Sequence, residues 1–380
     1  MPNHNPNQVA IVLTGGGARS AYHLGVLKYI FDTMDARMEP PIFIGSSAGA
    51  INATYLVQHA HEGFKKAIHD LCDIWCSLKV ERIYKTDIFA VSRVVWHFLR
   101  NITIGRFTEQ RIIESLLDSA PMYALLRAMV DIKSLHHNID TGLVRGLGIT
   151  ATQYGTGRSL TFFQTAPGHK VGEWNFPRRQ GLETKIMLKH IMASAAIPFL
   201  FPSVKIGENY YGDGSIRFTA PFSPAIHLGA SKLLAVGMRK IDPNQSEPAK
   251  SYPSIAQIGG TLLNAIFLDT LDYDARTLTR INELLKNQKD PMSEKPIDLA
   301  LIQPSSDLGI CALKYNKYLS KTLKFLMNSV GSTQRGGADL LSYLLFDHHY
   351  IEELIHLGYE DAKLHHKDLL TIFPPHSVAA

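Results

Sequence analysis

Gly45-Ser46-Ser47-Ala48-Gly49 is the segment whose residue types and spacing most directly allow chemistry. It fits G-x-S-x-G, in which a serine sits on a sharp, strained strand-to-helix turn and small neighbours prevent clashes. Such a turn lifts the Ser47 hydroxyl clear of a sheet and sets it at a helix N-terminus. There the helix end favours the negative charge that develops on an attacked carbonyl oxygen. Gly15-Gly16-Gly17-Ala18-Arg19 is a second element. Consecutive glycines let backbone N–H groups converge on one oxygen, as an oxyanion hole requires. A P-loop would need Gly-Lys-Ser/Thr where Arg19-Ser20 stands, and a dinucleotide fingerprint would need glycine at Ser20. Arg19 itself fits a surface charge, an anion contact or an anchor for the loop. The third element is Asp213-Gly214-Ser215. A serine hydroxyl needs a base within hydrogen-bond reach, and a carboxylate serves if burial raises its proton affinity. Asp-Gly alone is far more often a turn, so Asp213 gains weight only beside the other two elements.

The surrounding pattern supplies elements to position these residues. Val9 to Leu13 is a short apolar run that reads as a buried strand ending in the glycines. A helix is expected from about Ser20 to Thr33, a strand over Pro41 to Ile44 and a helix from Ala50 to His59. This strand–glycine–helix repetition predicts an α/β fold of three layers, a mostly parallel central sheet with helices on both faces. Residues 60–140 read as mostly helical. Leu147 to Gln153 and Ser159 to Thr165 read as strands around the turn Tyr154-Gly155-Thr156-Gly157. A helix is expected from about Thr184 to Ser194. Val204 to Tyr211 reads as one strand bent at Gly207, and Lys232 to Met238 as another. The polar, proline-bearing stretch Asp242 to Pro253 reads as a linker. The division expected is a catalytic domain over 1–240 and a mostly helical C-terminal extension over 241–380 packed on it. The strand-like run Ile297 to Ile302 is placed to return to the same sheet.

Composition bounds the partners. The chain has 380 residues, 45% hydrophobic and 19% charged, as in a globular protein with a large core. A net charge of +5, with no aromatic–basic run, is too weak to indicate nucleic acid. Cys72, Cys76 and Cys311 are too few for a disulfide framework and read as buried free thiols. Cys72 and Cys76 share a helix face, yet no further zinc ligands stand at a recognisable spacing. Neither a signal peptide nor an 18-residue apolar run is visible, so membrane contact is expected to be peripheral. A cytoplasmic or peripheral-membrane location follows, with export by a signal-less route left open.

Taken together, these blocks resemble the patatin-like phospholipase family, from about Val9 to Met238. The resemblance also rests on Ala193-Ser194-Ala195-Ala196-Ile197-Pro198 and Phe201-Pro202, similar to the family's small-residue helix end beside the active site. It implies Ser47 as nucleophile, Asp213 as base, and Gly15, Gly16, Gly17 and the Ala48 N–H as oxyanion donors. Gly45, Gly49 and Gly214 support the motifs, and Arg19 becomes a candidate head-group contact. The implied activity is hydrolysis of phospholipid or lysophospholipid esters by a Ser-Asp dyad, without metal or cofactor. The implied partners are a lipid ester and a membrane or micelle surface, with no protein partner indicated. Ser20 and Ser215 depart from the family's usual glycine and Gly or Ala.

Several readings compete. A neutral-glyceride or small-ester lipase would share the site, and a non-catalytic lipid-binding protein could share the fold. The elbow also permits a three-residue centre, completed by His227 or His348. His348-His349 and His365-His366 would be poor chelates, because adjacent helix positions diverge by about 100°. Lys314, Lys317, Lys321 and Lys324 fall on one helical stripe beside Leu319, Leu323, Phe325 and Leu326. That stripe is either a solvated face or a surface for acidic lipid. Ile88 to Leu99 reads as a core helix or a lid.

Overall fold

A computed structural model of the chain describes residues 5–34, 39–83, 119–198, 200–240, 254–286, 295–319, 324 and 337–374. The linker over 242–253, the apolar stretch 88–99, Lys321, Leu323, Phe325 and Leu326 lie outside them.

Ten strands among the described residues form one mixed sheet. They are β1 (Val9–Leu13), β2 (Ile42–Ser46), β3 (Gly146–Gln153), β4 (Arg158–Thr165), β5 (Trp174–Phe176), β6 (Arg179–Glu183), β7 (Val204–Ile206), β8 (Asn209–Asp213), β9 (Lys232–Val236) and β10 (Asp298–Ile302). The order is β10-β9-β1-β2-β3-β4-β6-β5, with β8 branching from β3 to pair with β7. From β10 to β3 every pairing is parallel. Strands β4 and β8 add to β3 antiparallel.

Side chains on a strand alternate between faces, and the core divides accordingly. Val9, Ile11 and Leu13 of β1 join one apolar cluster, and Ala10 and Val12 join the other. Helices α1 (Ala21–Thr33), α2 (Ala48–Gln58) and α3 (Phe64–Ser77) cover the first face. The helices Ser223–His227 and Asp269–Lys286 cover the second. Burial on both sides explains why the central strands read as continuous apolar runs. Among the described residues no helix is long and apolar enough to cross a membrane.

Besides the helix Asp269–Lys286, a strand and a further helix join the chain beyond residue 240 to this core. β10 extends the sheet alongside β9 in parallel register. The helix His348–Leu364 crosses α1 where each contributes a glycine. A Cβ on Gly25 would stand 1.9 Å from the Ile355 carbonyl oxygen, and one on Gly358 would stand 2.3 Å from that of Tyr22. At the same crossing, the Tyr22 hydroxyl donates to Asp361 at 2.8 Å.

Three expectations need correction. Val204 to Tyr211 is a hairpin: Gly207, at φ +62, turns the chain so that Ile206 pairs with Asn209. The short strands β5 and β6 lie where no strand was expected, and the helix after them begins at Leu188. Lys314 and Lys317 do not share one helix, because the helix Leu308–Leu313 ends and a 3-10 turn, Asn316–Tyr318, follows. Lys314 instead pairs with Glu353 at 2.6 Å.

Candidate active site

β1 and β2 lie side by side with Leu13 opposite Gly45, so the glycine loop and the serine turn leave the sheet as neighbours. Ser47 has φ 54 and is the one non-glycine residue with positive φ among those described. An L-residue is strained there and persists only where its surroundings fix it. Two glycines allow the turn. A Cβ on Gly45 would stand 2.5 Å from the Ala50 Cα, and one on Gly49 would stand 2.1 Å from the Leu13 carbonyl oxygen. Ser47 caps α2, and Ala48 opens it. The Ala48 N–H is therefore among the first-turn donors that have no acceptor within the helix.

Asp213 ends β8 and is fully buried. Its N–H donates to the Ala196 carbonyl at 2.8 Å, and its carbonyl accepts from the Thr152 hydroxyl at 2.8 Å. Of the carboxylate oxygens, Oδ1 accepts from the Ser215 N–H at 2.9 Å. Oδ2 is buried and makes no hydrogen bond of ordinary geometry. Desolvation pushes this carboxyl up to about 6 from 3.8, while the nearby Ser47 hydroxyl and the Ser215 donors hold it back. Gly214 must be glycine, since a Cβ there would meet the Thr150 carbonyl oxygen at 2.0 Å.

The helix Leu188–Ser194 and the residues after it tie the two groups together. Ser194 Oγ accepts from the Ser47 N–H at 2.9 Å and donates to the Thr150 carbonyl at 2.6 Å. Two residues on, the Ala196 carbonyl holds the Asp213 N–H. One short segment thus sets the separation of serine and carboxylate. Ser194 was quoted in the sequence only as part of a block. Its signal was that of a lone hydroxyl among small apolar residues.

The glycine loop closes against Ser47. A Cβ on Gly15 would stand 2.8 Å from Ser47 Cβ and 2.4 Å from Ser215 Oγ. Gly16 is extended and leads into a 3-10 turn, Gly17–Ser20. Gly17 has φ +55, and a Cβ there would stand 2.3 Å from the Tyr343 carbonyl oxygen. Arg19 is not a surface charge. It is 2% exposed and its guanidinium pairs with Asp339 at 2.6 Å.

Over Ser47 lies a narrow cavity of about 60 Å³. Ile51, Trp75, Leu126, Met129, Ile197 and Leu344 are among its lining residues, and among the described residues no charged side chain is. An apolar chain would fit this lining, because its burial costs no polar group a partner.

The histidines considered as third members stand elsewhere. His227 stacks on Trp174 and Phe176 near the β5–β6 edge. His348 Nδ1 contacts the Cys76 carbonyl at 3.0 Å. Among the described residues no histidine is hydrogen-bonded to Ser47 or Asp213. His365 contacts Asp368 and His366 contacts the Tyr29 hydroxyl. No cluster of three or more His, Cys, Asp or Glu able to hold a metal occurs among the described residues. The three cysteines are free, with Cys72 and Cys311 buried and Cys76 half-buried.

A family model described as Patatin-like phospholipase matches residues 11–226. Among solved structures, the chain resembles VipD from Legionella pneumophila at 12% identity and a TM-score of 0.34, covering 95% of this chain and 67% of that one. It also resembles human GIVD cytosolic phospholipase A2, solved with methyl gamma-linolenyl fluorophosphonate, at 13% identity and a TM-score of 0.42. That alignment covers 96% of this chain but only 58% of the human one. No curated protein matches the chain.

Proposed function

The chain belongs to the patatin-like phospholipase family, and from that premise we propose that it cleaves carboxylic esters of phospholipids or lysophospholipids through Ser47 and Asp213. The observation that carries this reading is a buried carboxyl, raised to about 6 and with one oxygen unbonded, beside a strained serine under an apolar cavity. A base near neutrality accepts a hydroxyl proton more readily than an ordinary carboxylate and is still ionised at pH 7.

In the reaction, Asp213 Oδ2 takes the Ser47 proton as Oγ attacks the ester carbonyl. Charge moves to the carbonyl oxygen, where N–H groups of Gly15 to Gly17 and Ala48 receive it. Such donors act without reorganising, and each is worth roughly 10²–10³ in rate. Collapse expels the alcohol, which takes the proton from Asp213. Water then gives a proton to Asp213 as it attacks the acyl-enzyme, and Asp213 returns that proton to Ser47 Oγ as the bond to the acyl group breaks and the fatty acid leaves. The apolar cavity holds the acyl chain through these steps, with the head group toward the mouth. The encounter takes place at a membrane or micelle surface.

Labelling by a fluorophosphonate probe tests the nucleophile. The wild-type chain is expected to label once, and Ser47→Ala is expected to abolish labelling and ester cleavage together. Labelling that persists in Ser47→Ala sinks the assignment. Parallel assays on phosphatidylcholine, lysophosphatidylcholine and triglyceride identify the ester class, and preference for triglyceride would replace the phospholipid reading.

A further inference from the structure

The proposed reaction gives Arg19 no task, yet the guanidinium is only 3% exposed in its ion pair and bonded at all three nitrogens. Nε donates to Ser342 Oγ at 2.7 Å, and one terminal nitrogen donates to the Asn264 side chain at 3.4 Å. The other terminal nitrogen meets Asp339 Oδ1 at 2.6 Å and the Asp339 carbonyl at 3.5 Å. The guanidinium also lies 4.3 Å from the centre of the Tyr343 ring. These commitments aim it away from a lipid head group and toward the C-terminal part of the chain. A planar, forked cation held this way fixes the backbone that carries it.

Its partners sit where they can hold the glycine loop. Tyr343 presents its carbonyl to Gly17, and Phe267 lies against Gly15. Phe267 and Tyr343 pack on each other with ring centres 5.5 Å apart, and the Tyr343 hydroxyl donates to Asn264 at 3.1 Å. Ser342 Oγ donates in turn to the Asp339 carbonyl at 2.6 Å. Asn264, Phe267, Asp339, Ser342 and Tyr343 lie outside the family match over 11–226.

We propose that Arg19 is a positioning residue, and that Asp339 and Ser342 act through it to hold Gly15 to Gly17 in the shape that receives the oxyanion. The proposal rests on the Ser47–Asp213 hydrolase reading. Its physical basis is the steep dependence of catalysis on placement: a displacement of ~1 Å at a catalytic group can cost on the order of 10² in rate. Asp339 touches no reacting atom, so its effect falls on transition-state stabilisation and not on ground-state binding.

The test compares full-length wild type, Asp339→Asn, Asp339→Glu and Ser342→Ala on phosphatidylcholine in mixed micelles, with fluorophosphonate labelling rates and thermal unfolding measured beside them. Asp339→Asn is expected to lower kcat and the labelling rate by about tenfold or more, with KM within about twofold. Asp339→Glu is expected to restore most of both rates, and Ser342→Ala to show a smaller loss. A merely structural role would lower the unfolding temperature and leave kcat per labelled molecule unchanged, which would overturn the proposal. If Asp339→Asn does not fold, Ser342→Ala decides, and an unchanged kcat there overturns it. A wild type that shows no Ser47-dependent labelling overturns the hydrolase reading and this one with it. Normal wild-type labelling with an undiminished Asp339→Asn overturns this one alone.

Discussion

Two strand–glycine–helix junctions stand next to each other in this molecule, and they are held from different places. The serine turn after β2 is fixed by neighbours within the matched family region: Leu13 against Gly49, Ala50 against Gly45, and Ser194 on the Ser47 N–H. The glycine loop after β1 leans on Asn264, Phe267, Asp339, Ser342 and Tyr343, between 245 and 323 residues away for the bonds made by Arg19 to Asn264 and Ser342. The difference teaches that similar local sequence need not mean similar support. The proposed nucleophile is set by the sheet, whereas the loop beside it is braced by residues between 264 and 343.

The largest expected effect lies on the serine's side of this comparison. Asp213→Asn keeps an acceptor for the Ser215 N–H but removes the base, and a loss of roughly 10²–10⁴ in kcat/KM is expected. The same change is expected to stabilise the fold at neutral pH. The Asp213 carboxyl is held at about 6 when folded against 3.8 as the ordinary value. Its contribution to stability is therefore fully present below 3.8 and is lost as pH rises through about 6. Above that the buried charge costs on the order of 3 kcal/mol, at about 1.4 kcal/mol per pH unit of displacement. Melting curves should show Asp213→Asn gaining at pH 7 and not at pH 4. Wild-type kcat/KM should climb through about pH 6 to a plateau.

Alanine at a glycine in each junction comes next. In Gly49→Ala the new Cβ meets the Leu13 backbone, and neither β1 nor α2 can retreat without opening the core. A loss of about 3 kcal/mol or more is expected by denaturant unfolding. In Gly17→Ala the new Cβ meets the Tyr343 carbonyl at a positive φ, so strain of about 1–3 kcal/mol adds to the clash. There the displaced partner is the helix Ala338–Leu344, which also lines the cavity over Ser47, and kcat should fall further than stability does. Equal losses of stability in the two variants would erase the distinction between the junctions.

The smallest effect expected is that of Ser194→Ala. It leaves the Ser47 N–H without its acceptor and the Thr150 carbonyl without its donor. A stability loss of about 1–3 kcal/mol is expected, with a modest fall in kcat. Unchanged kcat would mean that the helix end does not gauge the distance between serine and carboxylate.

How much could be read in advance follows the same line. The three-layer fold and the strands β1, β2, β3, β4 and β9 were legible because burial on both faces writes continuous apolar runs. Ser47 was legible because its turn demands small residues on both sides. Asp213 was not legible from its own surroundings, since Asp-Gly after a strand is far more often a plain turn. β5 and β6 escaped notice because their exposed edge carries Asn175, Arg179 and Gln180 in place of an apolar pattern. Arg19 fits three readings in the sequence, a surface charge, an anion contact and a loop anchor, and nothing nearby chooses among them. Its meaning lies in residues more than 240 positions downstream, beyond the reach of any local pattern.

The origin of one cavity wall carries a consequence for biosynthesis. Tyr343, Leu344 and Phe346 line the space over Ser47, while the opposing Gly17 and Ala48 come from the first 50 residues. A nascent chain therefore presents Ser47 and Asp213 long before the residues of this wall have been translated. The completed cleft appears only after residues 343–346 have left the ribosome. Synthesis itself thus separates the making of the proposed catalytic residues from the making of the wall proposed to hold a lipid.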